Sequence, residues 1–406
     1  MRPVLAVVAL AAAFAVALPG AHAGSAADPG VTSSSILLGG TVPLTGPAAA
    51  FAAVAPGADA YFRYVNDRGG VFGRKIRYKY VDDGFEIPRT VDQTRRLVQQ
   101  DRVFAIFNAI GTEHAIAVRP YLNQVRVPHV FTGTGASTFH KDRARYPWSM
   151  GYLPSFTGEG AIYGRYIART MPSARIGVLY ENTDYGRDLT NGLRRGLGRR
   201  ANRIVAVRSY EITDADVNSQ ISQLKRSGAN TFMLFATPGF AIQAFLGAHR
   251  QAWHPRTFIS SVSIEPSIMK VIRLNTSSRA TSGTISMGYL KDPTSPTWKR
   301  DRAILLYRQI MRRYLPGRKA SDVYHYYGMA VAHSMVHALR KSGRNLSRAG
   351  LRNAVTHLNQ ADNPFLLPGV AVRTSPSNYY PIAKAKLFRY SAQGQWVPFG
   401  RLLAAR

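Results

Sequence analysis

No cysteine occurs among the 406 residues. The chain therefore stands without disulfides, and thiol chemistry, Cys-ligated zinc and Cys-bound clusters are excluded. Attachment to a membrane through a lipidated cysteine is excluded with them. Acidic residues are scarce: 22 Asp and Glu stand against 53 Lys and Arg, a net charge of +31. Such a balance invites a nucleic-acid reading. The basic residues are scattered, however, with no dense run interleaved with stacking aromatics, so nucleic acid is not an expected partner. What remains is a solvated cationic surface, with weak adhesion to anionic envelope polymers as a by-product. Beyond the first residues no apolar run is long enough to span a membrane.

Those first residues carry a signal of their own. Arg2 precedes an apolar run from Val4 to Leu18, then Pro19-Gly20 and the small-x-small triplet Ala21-His22-Ala23. A charged start, a short hydrophobic core and such a triplet read as a secretory signal peptide over residues 1–23. The expectation is a mature, soluble, unlipidated periplasmic protein beginning near Gly24, with a flexible Gly/Ser/Ala-rich leader over 24–34. The roughly 380 residues left suffice for two domains with full cores.

The hydrophobic rhythm alternates strands and helices. Ser35–Val42 reads as a strand, and a helix with Ala58, Tyr61, Phe62 and Val65 on one face runs to about Asn66. Strand Ile76–Asp82 and a helix from Pro88 follow. After Tyr146–Tyr152 the rhythm restarts: helix Gly158–Thr170, strand Arg175–Tyr180, helix Tyr185–Leu197, strand Ile204–Tyr210, helix Asp216–Arg226, strand Thr231–Ala236, helix Phe240–Gln251, strand Thr257–Ser260. A βαβα order predicts parallel, doubly wound sheets, here as two α/β units in tandem. Near Gly283–Asp292 the chain leaves the second unit for two long helices, Arg302–Tyr314 and Tyr324–Lys341. It ends in a Pro-rich tail with a strand-like Lys386–Tyr390.

Two stretches stand out. Phe104–Thr112 and Val127–Ser137 each begin as a short apolar run, as a strand buried on both faces would, then break into Gly, Thr, Ser and Asn. The first break is followed by a helix, Glu113–Gln124. Strand ends of this kind offer free backbone N–H groups and a positive helix terminus, and in open α/β sheets such loops are where small ligands bind. They suggest a cradle for a small anionic group, though ordinary strand–helix turns look the same.

Other motifs fall away. No Gly-rich loop ends in Gly-Lys-Ser/Thr, and Gly133-Thr-Gly-Ala-Ser-Thr138 lacks the third glycine and acidic partner of a dinucleotide site. His333 and His337 share a helix face at i, i+4, but Ser334 occupies the place of a zinc protease's glutamate and no third ligand is evident. Ser137 has no nucleophile elbow around it. No catalytic residue, metal or cofactor is expected.

Gly39–Pro47, the Asn66–Lys75 turn, Asp82-Asp83 and Val127-Pro128 with its loop resemble the start of branched-chain amino-acid-type periplasmic binding proteins, the solute receptors of ATP-driven importers. Tyr146–Tyr152, Val178–Gly186 and Thr374–Pro381 resemble members that take up diverse organic acids, aromatic ones included. The resemblance implies an α/β, two-lobed type I periplasmic-binding-protein fold, each lobe a doubly wound parallel sheet, with three hinge crossings. Lobe one would comprise 35–152 plus about 289–366, and lobe two 153–288 plus about 367–406. It further implies a monomeric, non-catalytic receptor that closes on a small carboxylate or amino acid and serves the permease and ATPase subunits of an importer. The alternative is a ligand-sensing module of a signalling system. By the same resemblance, Phe51 would pack on the ligand body. Ala109, Ile110, Gly111 and Thr112, with Thr132, Thr134, Gly135 and Ser137, would hold a carboxylate. Tyr185, Thr237 and Gly239 would come from the opposite lobe. Amino-acid-binding members place an acidic residue after the strand corresponding to Thr257–Ser260. Ser261-Val262-Ser263 stands there and Glu265 follows slightly later, so a carboxylate without an α-amino group is the expected ligand.

Overall fold

A computed structural model describes residues 28–405; the signal peptide expected over 1–23 lies outside them. The first lobe strings together β1 (Ser35–Val42), α1 (Val54–Asn66), β2 (Lys75–Asp82), α2 (Ile87–Gln99), β3 (Ala105–Phe107), α3 (Thr112–Gln124), β4 (His129–Thr132), α4 (Thr138–Lys141) and β5 (Ser149–Gly151). Their five strands form one parallel sheet in the order β2-β1-β3-β4-β5. β1 is buried along most of its length, as a central strand covered by helices on both faces must be.

The second lobe follows with α5 (Phe156–Thr170), β6 (Ile176–Glu181), α6 (Asp184–Leu197), β7 (Ile204–Tyr210), α7 (Asn218–Arg226), β8 (Thr231–Phe235), α8 (Pro238–Arg250), β9 (Arg256–Ile259), α9 (Pro266–Asn275), α10 (Ser278–Thr281) and β10 (Ile285–Gly288). The chain goes on through α11 (Arg302–Tyr314), α12 (Val323–Lys341), α13 (Arg348–Val355), β11 (Asn359–Gln360) and β12 (Val372–Arg373) to β13 (Lys384–Tyr390) and β14 (Trp396–Ala404). The second sheet runs β14-β13-β10-β9-β8-β6-β7. It is parallel from β10 to β7, and β13 and β14 extend it as an antiparallel edge hairpin. The tail thus adds two strands where the sequence suggests one.

The chain passes between the sheets three times: after β5, after β10 and before β13. The second and third passages lie side by side, with Lys291 N donating to Phe365 O (3.1 Å) and Leu367 N to Tyr289 O (2.8 Å). On the first passage, the Tyr152 hydroxyl lies 2.9 Å from Ser334 Oγ of α12, which donates to Gln360 Oε1 at 2.7 Å. A buried polar network of this kind fixes the hinge region as one unit.

Helices meet at glycines. A Cβ on Gly192 of α6 would lie 2.1 Å from Thr157 O of α5, and one on Gly160 of α5 would lie 2.0 Å from Leu189 O of α6. Only a hydrogen at these positions lets the two backbones touch. The described part of the expected flexible leader is packed instead. Val31 is buried, Gly30 O accepts from Leu37 N, and the Asp28 carboxylate accepts from Arg348 N at 2.6 Å. An apolar side chain and a charged hydrogen bond hold what composition alone reads as slack.

Candidate functional site

The strands of the first five-stranded sheet and the parallel strands of the second point their carboxyl ends towards one cleft of about 170 Å³. On the first lobe, β3 ends at Phe107 and the chain turns through Asn108 (φ +50°) and Gly111 (φ +108°) into α3. A side chain at Gly111 would press to 2.6 Å from His114 Nδ1, so glycine is required there for space as well as for φ. No side chain caps α3. Its first intrahelical bond is Ala115 N to Gly111 O, which leaves the N–H groups of Thr112, Glu113 and His114 ahead of the helix ladder. With the positive end of the helix dipole, they make Gly111 and Thr112 an anion-favouring wall of the cleft.

The other walls are mostly aromatic. Phe51 packs edge-on to Tyr324 of α12 (centroids 5.1 Å) and Phe156 edge-on to Tyr185 (4.9 Å). The phenols are already engaged: Tyr185 donates to Ala236 O (3.3 Å) and Tyr324 to Val262 O (2.9 Å). Their rings therefore present hydrocarbon to the cleft, alongside Phe85, Ile110, Leu153, Tyr289 and Trp396.

Two buried carboxyls face the aromatics. Glu181 at the end of β6 accepts from the Tyr210 hydroxyl (3.1 Å) and from Thr183 Oγ1 (3.2 Å). Glu265, the N-cap of α9, accepts from Ile268 N (3.1 Å) and Ser267 Oγ through Oε2. Its Oε1 is buried without a partner. Burial pushes both acids above the usual carboxylate range. A buried carboxylate oxygen left unpaired at a cleft wall calls for a donor from a ligand.

The expected residues divide. Phe51, Ile110, Gly111, Thr112, Tyr185 and Thr237 line the cleft. Thr134 stands behind it, its hydroxyl 2.8 Å from that of Thr112 and accepting from Ala136 N. Thr132 donates to Met150 O and Ala109 is buried in the apolar core. Gly135 lies against Pro154 O, and the space over Gly239 is open to Pro47 O. Ser137 is engaged elsewhere: its N–H and hydroxyl both donate to Asp188 of α6.

The structure also corrects one expectation. β9 ends at Ile259, and a tight turn over Ser261–Ser263 takes up the following residues, so Glu265 reaches the cleft instead of falling beyond it. The second lobe does offer an acidic group. The sequence signal was Glu265-Pro266 at a helix start, a pattern that places the acid at an N-cap. Tyr324, Phe85, Phe156, Tyr289 and Trp396 carry no local motif and are brought in by the fold alone. Among the described residues no cluster of three or more His, Asp or Glu could hold a metal ion, and no helix is long and apolar enough to cross a membrane.

Comparison with known proteins follows the same line. Residues 35–395 match a family model described as periplasmic binding protein. The chain is 26% identical over 199 residues to Leu/Ile/Val-binding protein homolog 3 of Brucella melitensis, covering 48% of this chain and 53% of that protein. It is 23% identical over 197 residues to an amino acid binding protein of Pseudomonas aeruginosa, covering 48% and 52%. The matches span about half the length of these curated relatives. Among solved structures, a substrate-binding periplasmic protein from Ralstonia solanacearum superposes with a TM-score of 0.79 at 24% identity, covering 90% of this chain and all of that one. A branched chain amino acid ABC transporter protein from Thermus thermophilus with bound valine gives 0.79 at 16%, covering 92% and 97%. At these identities the structural likeness speaks for the fold.

Proposed function

The chain belongs to the periplasmic binding protein family, whose members are non-enzymatic and extracytoplasmic, and from that premise we propose that it is the solute receptor of an ATP-driven importer. It takes a small carboxylate with an apolar or aromatic body between lobes 35–152 plus about 289–366 and 153–288 plus about 367–406, which close on it about the three crossings. The signal-like start supports a setting outside the cytoplasm, and a permease with its ATPase is the partner this reading calls for. The carboxylate lies against Gly111 and Thr112 at the start of α3, and the body rests on Phe51 and Tyr185.

One observation carries the reading furthest: an uncapped helix start and an unpaired buried carboxylate oxygen, Glu265 Oε1, line one aromatic cleft. The first favours an anion and the second a hydrogen-bond donor, an ammonium above all. A ligand bearing both, as an amino acid with an apolar or aromatic side chain does, satisfies the two walls at once. This moves the preferred ligand from a plain carboxylate to an amino acid. Calorimetry with matched pairs, phenylpropanoate against phenylalanine and isovalerate against valine, tests it. Binding of the amino acids at least tenfold tighter than their deaminated partners is the expected result. Binding of neither pair, together with no thermal shift in a wider screen of carboxylates, would overturn the reading.

A further inference from the structure

The edge of the second sheet opposite the cleft has a charge pattern that ligand capture does not use. There α5, α6, α7, α8 and α10 hand over to β6, β7, β8, β9 and β10. These five connections, 169–175, 194–203, 225–230, 249–256 and 273–284, contain 13 Lys and Arg and no Asp or Glu. Helix C-termini favour cations, which accounts for a basic residue in each last turn. It does not account for Arg175, Arg199, Arg203 and Arg256, which lie beyond the α-helices, nor for the missing acids. Several of these charges meet only neutral oxygens: Arg175 donates to Gly228 O and Ser227 O, Arg250 to Asn218 Oδ1, Lys225 to Gln251 O.

The equivalent edge of the first lobe is built differently. Its connections carry Asp67, Asp101 and Asp142, each paired with a cation: Arg313 at 2.8 Å, Lys79 at 2.7 Å and Arg119 at 3.3 Å. Cations such as Arg68, Arg102, Arg126 and Arg143 mark that edge too, but acids are set among them, whereas a general arginine bias would leave the same mixture on both edges. The difference therefore belongs to the face. A groove of about 560 Å³ opens in it, lined by His249, His254, Arg256, Arg279 and Trp253 and by no acidic residue. The Nδ1 of His249 is buried there without a partner.

We infer that this basal face of the second lobe is a docking surface for an anionic phospholipid membrane, with the groove receiving a phosphate headgroup. Loop tips spread over one sheet edge, without stacking aromatics in a run, suit a surface of repeating phosphates rather than a strand of bases. The cleft lies at the opposite ends of the same strands, so a chain seated on this face keeps its cleft open to solute. The inference goes beyond solute capture and rests only on the extracytoplasmic setting of that reading.

Co-sedimentation with vesicles of phosphatidylcholine alone, or mixed with phosphatidylglycerol, tests it without any cleft ligand. The purified chain should bind only the mixed vesicles and leave them as salt is raised. Each cation near an anionic leaflet multiplies partitioning about fivefold. The exposed triple variant Arg199→Glu, Arg226→Glu, Arg279→Glu should therefore lose binding at least tenfold, with its melting temperature checked in parallel. Arg77→Glu, Arg96→Glu, Arg312→Glu, exposed on the first lobe and identical in net charge, should lose no more than about threefold by the same estimate. Equal losses in the two triples would overturn the assignment in favour of diffuse net charge. So would binding to phosphatidylcholine alone, or binding of soluble polyphosphate with none to vesicles.

Discussion

Ser137 grips the Asp188 carboxylate twice, its backbone N–H 2.6 Å from Oδ2 and its hydroxyl 2.9 Å from Oδ1, across the boundary between the lobes. Close by, Glu113 of α3 accepts from Asp184 N at the start of α6 (2.7 Å). The first-lobe loop that sequence offers to a ligand anion is thus partly filled by an anion of the protein itself.

Ser137→Ala and Asp188→Asn should accordingly act on stability. Charge-assisted bonds to a buried carboxylate are worth about 1.5–3 kcal/mol. Each variant should unfold at lower denaturant, and the double variant should cost clearly less than the sum of the two. Ligand affinity should stay within about threefold, since Ser137 does not line the cleft. A tenfold loss of affinity at unchanged stability would return Ser137 to the ligand.

Glu265→Gln separates the two halves of the ligand. It should weaken an amino acid far more than its deaminated partner, because only the ammonium uses the carboxylate charge. It should also stabilise the unliganded chain at neutral pH. The native carboxyl is held above its ordinary range by burial, so its stabilising contribution is complete below pH about 4.5 and is lost as pH rises through the native value. The variant lacks that loss, and its advantage in urea denaturation should grow from pH 4.5 to 7.5. A flat difference would mean that Glu265 is solvated or paired.

The architecture was legible because parallel strands buried on both faces leave short unbroken apolar runs. Val178–Phe235 repeats them at βα spacing, and the two-unit rhythm predicts the two sheets. β14 was not legible. Most of it is only partly buried, and Gly400 and Arg401 interrupt any alternation. At the site, Thr112 and Gly111 could be read from a strand breaking into a helix. Glu265 could not be placed, because whether Ser261–Ser263 extends the strand or coils into a turn depends on packing beneath it. Asp188, mid-helix, gives no local sign that it reaches Ser137 51 positions away.

Gly192→Ala is expected to loosen the α5–α6 pair. Its new methyl would meet a backbone oxygen at 2.1 Å, and backbone cannot rotate away as a side chain can. Overpacking of this kind costs about 1–3 kcal/mol, and a rigid backbone partner puts the cost at the upper end, above the roughly 1 kcal/mol gained from alanine's helix preference. A melting temperature at or above that of the parent would show that the helices have room to slide apart.

His129 gives the last expectation, an acid sensitivity with a definite sign. It is wholly buried in β4, its Nε2 has no partner, and burial with nearby Arg119 lowers its pKa from 6.5 to about 3. Between those values the unfolded chain holds a proton that the native chain refuses. The stabilising contribution is therefore present above pH 6.5 and declines by about 1.4 kcal/mol per unit as pH falls towards 3. His129→Gln removes the titration while keeping a polar side chain. Packing losses should make the variant less stable at pH 7.5, but that deficit does not depend on pH. The gap between parent and variant should narrow by about 2 kcal/mol on going to pH 5. Taking the difference cancels the buried carboxyls, whose slopes run the opposite way and are common to both proteins. Urea unfolding at pH 7.5, 6 and 5 measures it. A gap that stays constant would show that His129 finds a proton and a partner inside the fold.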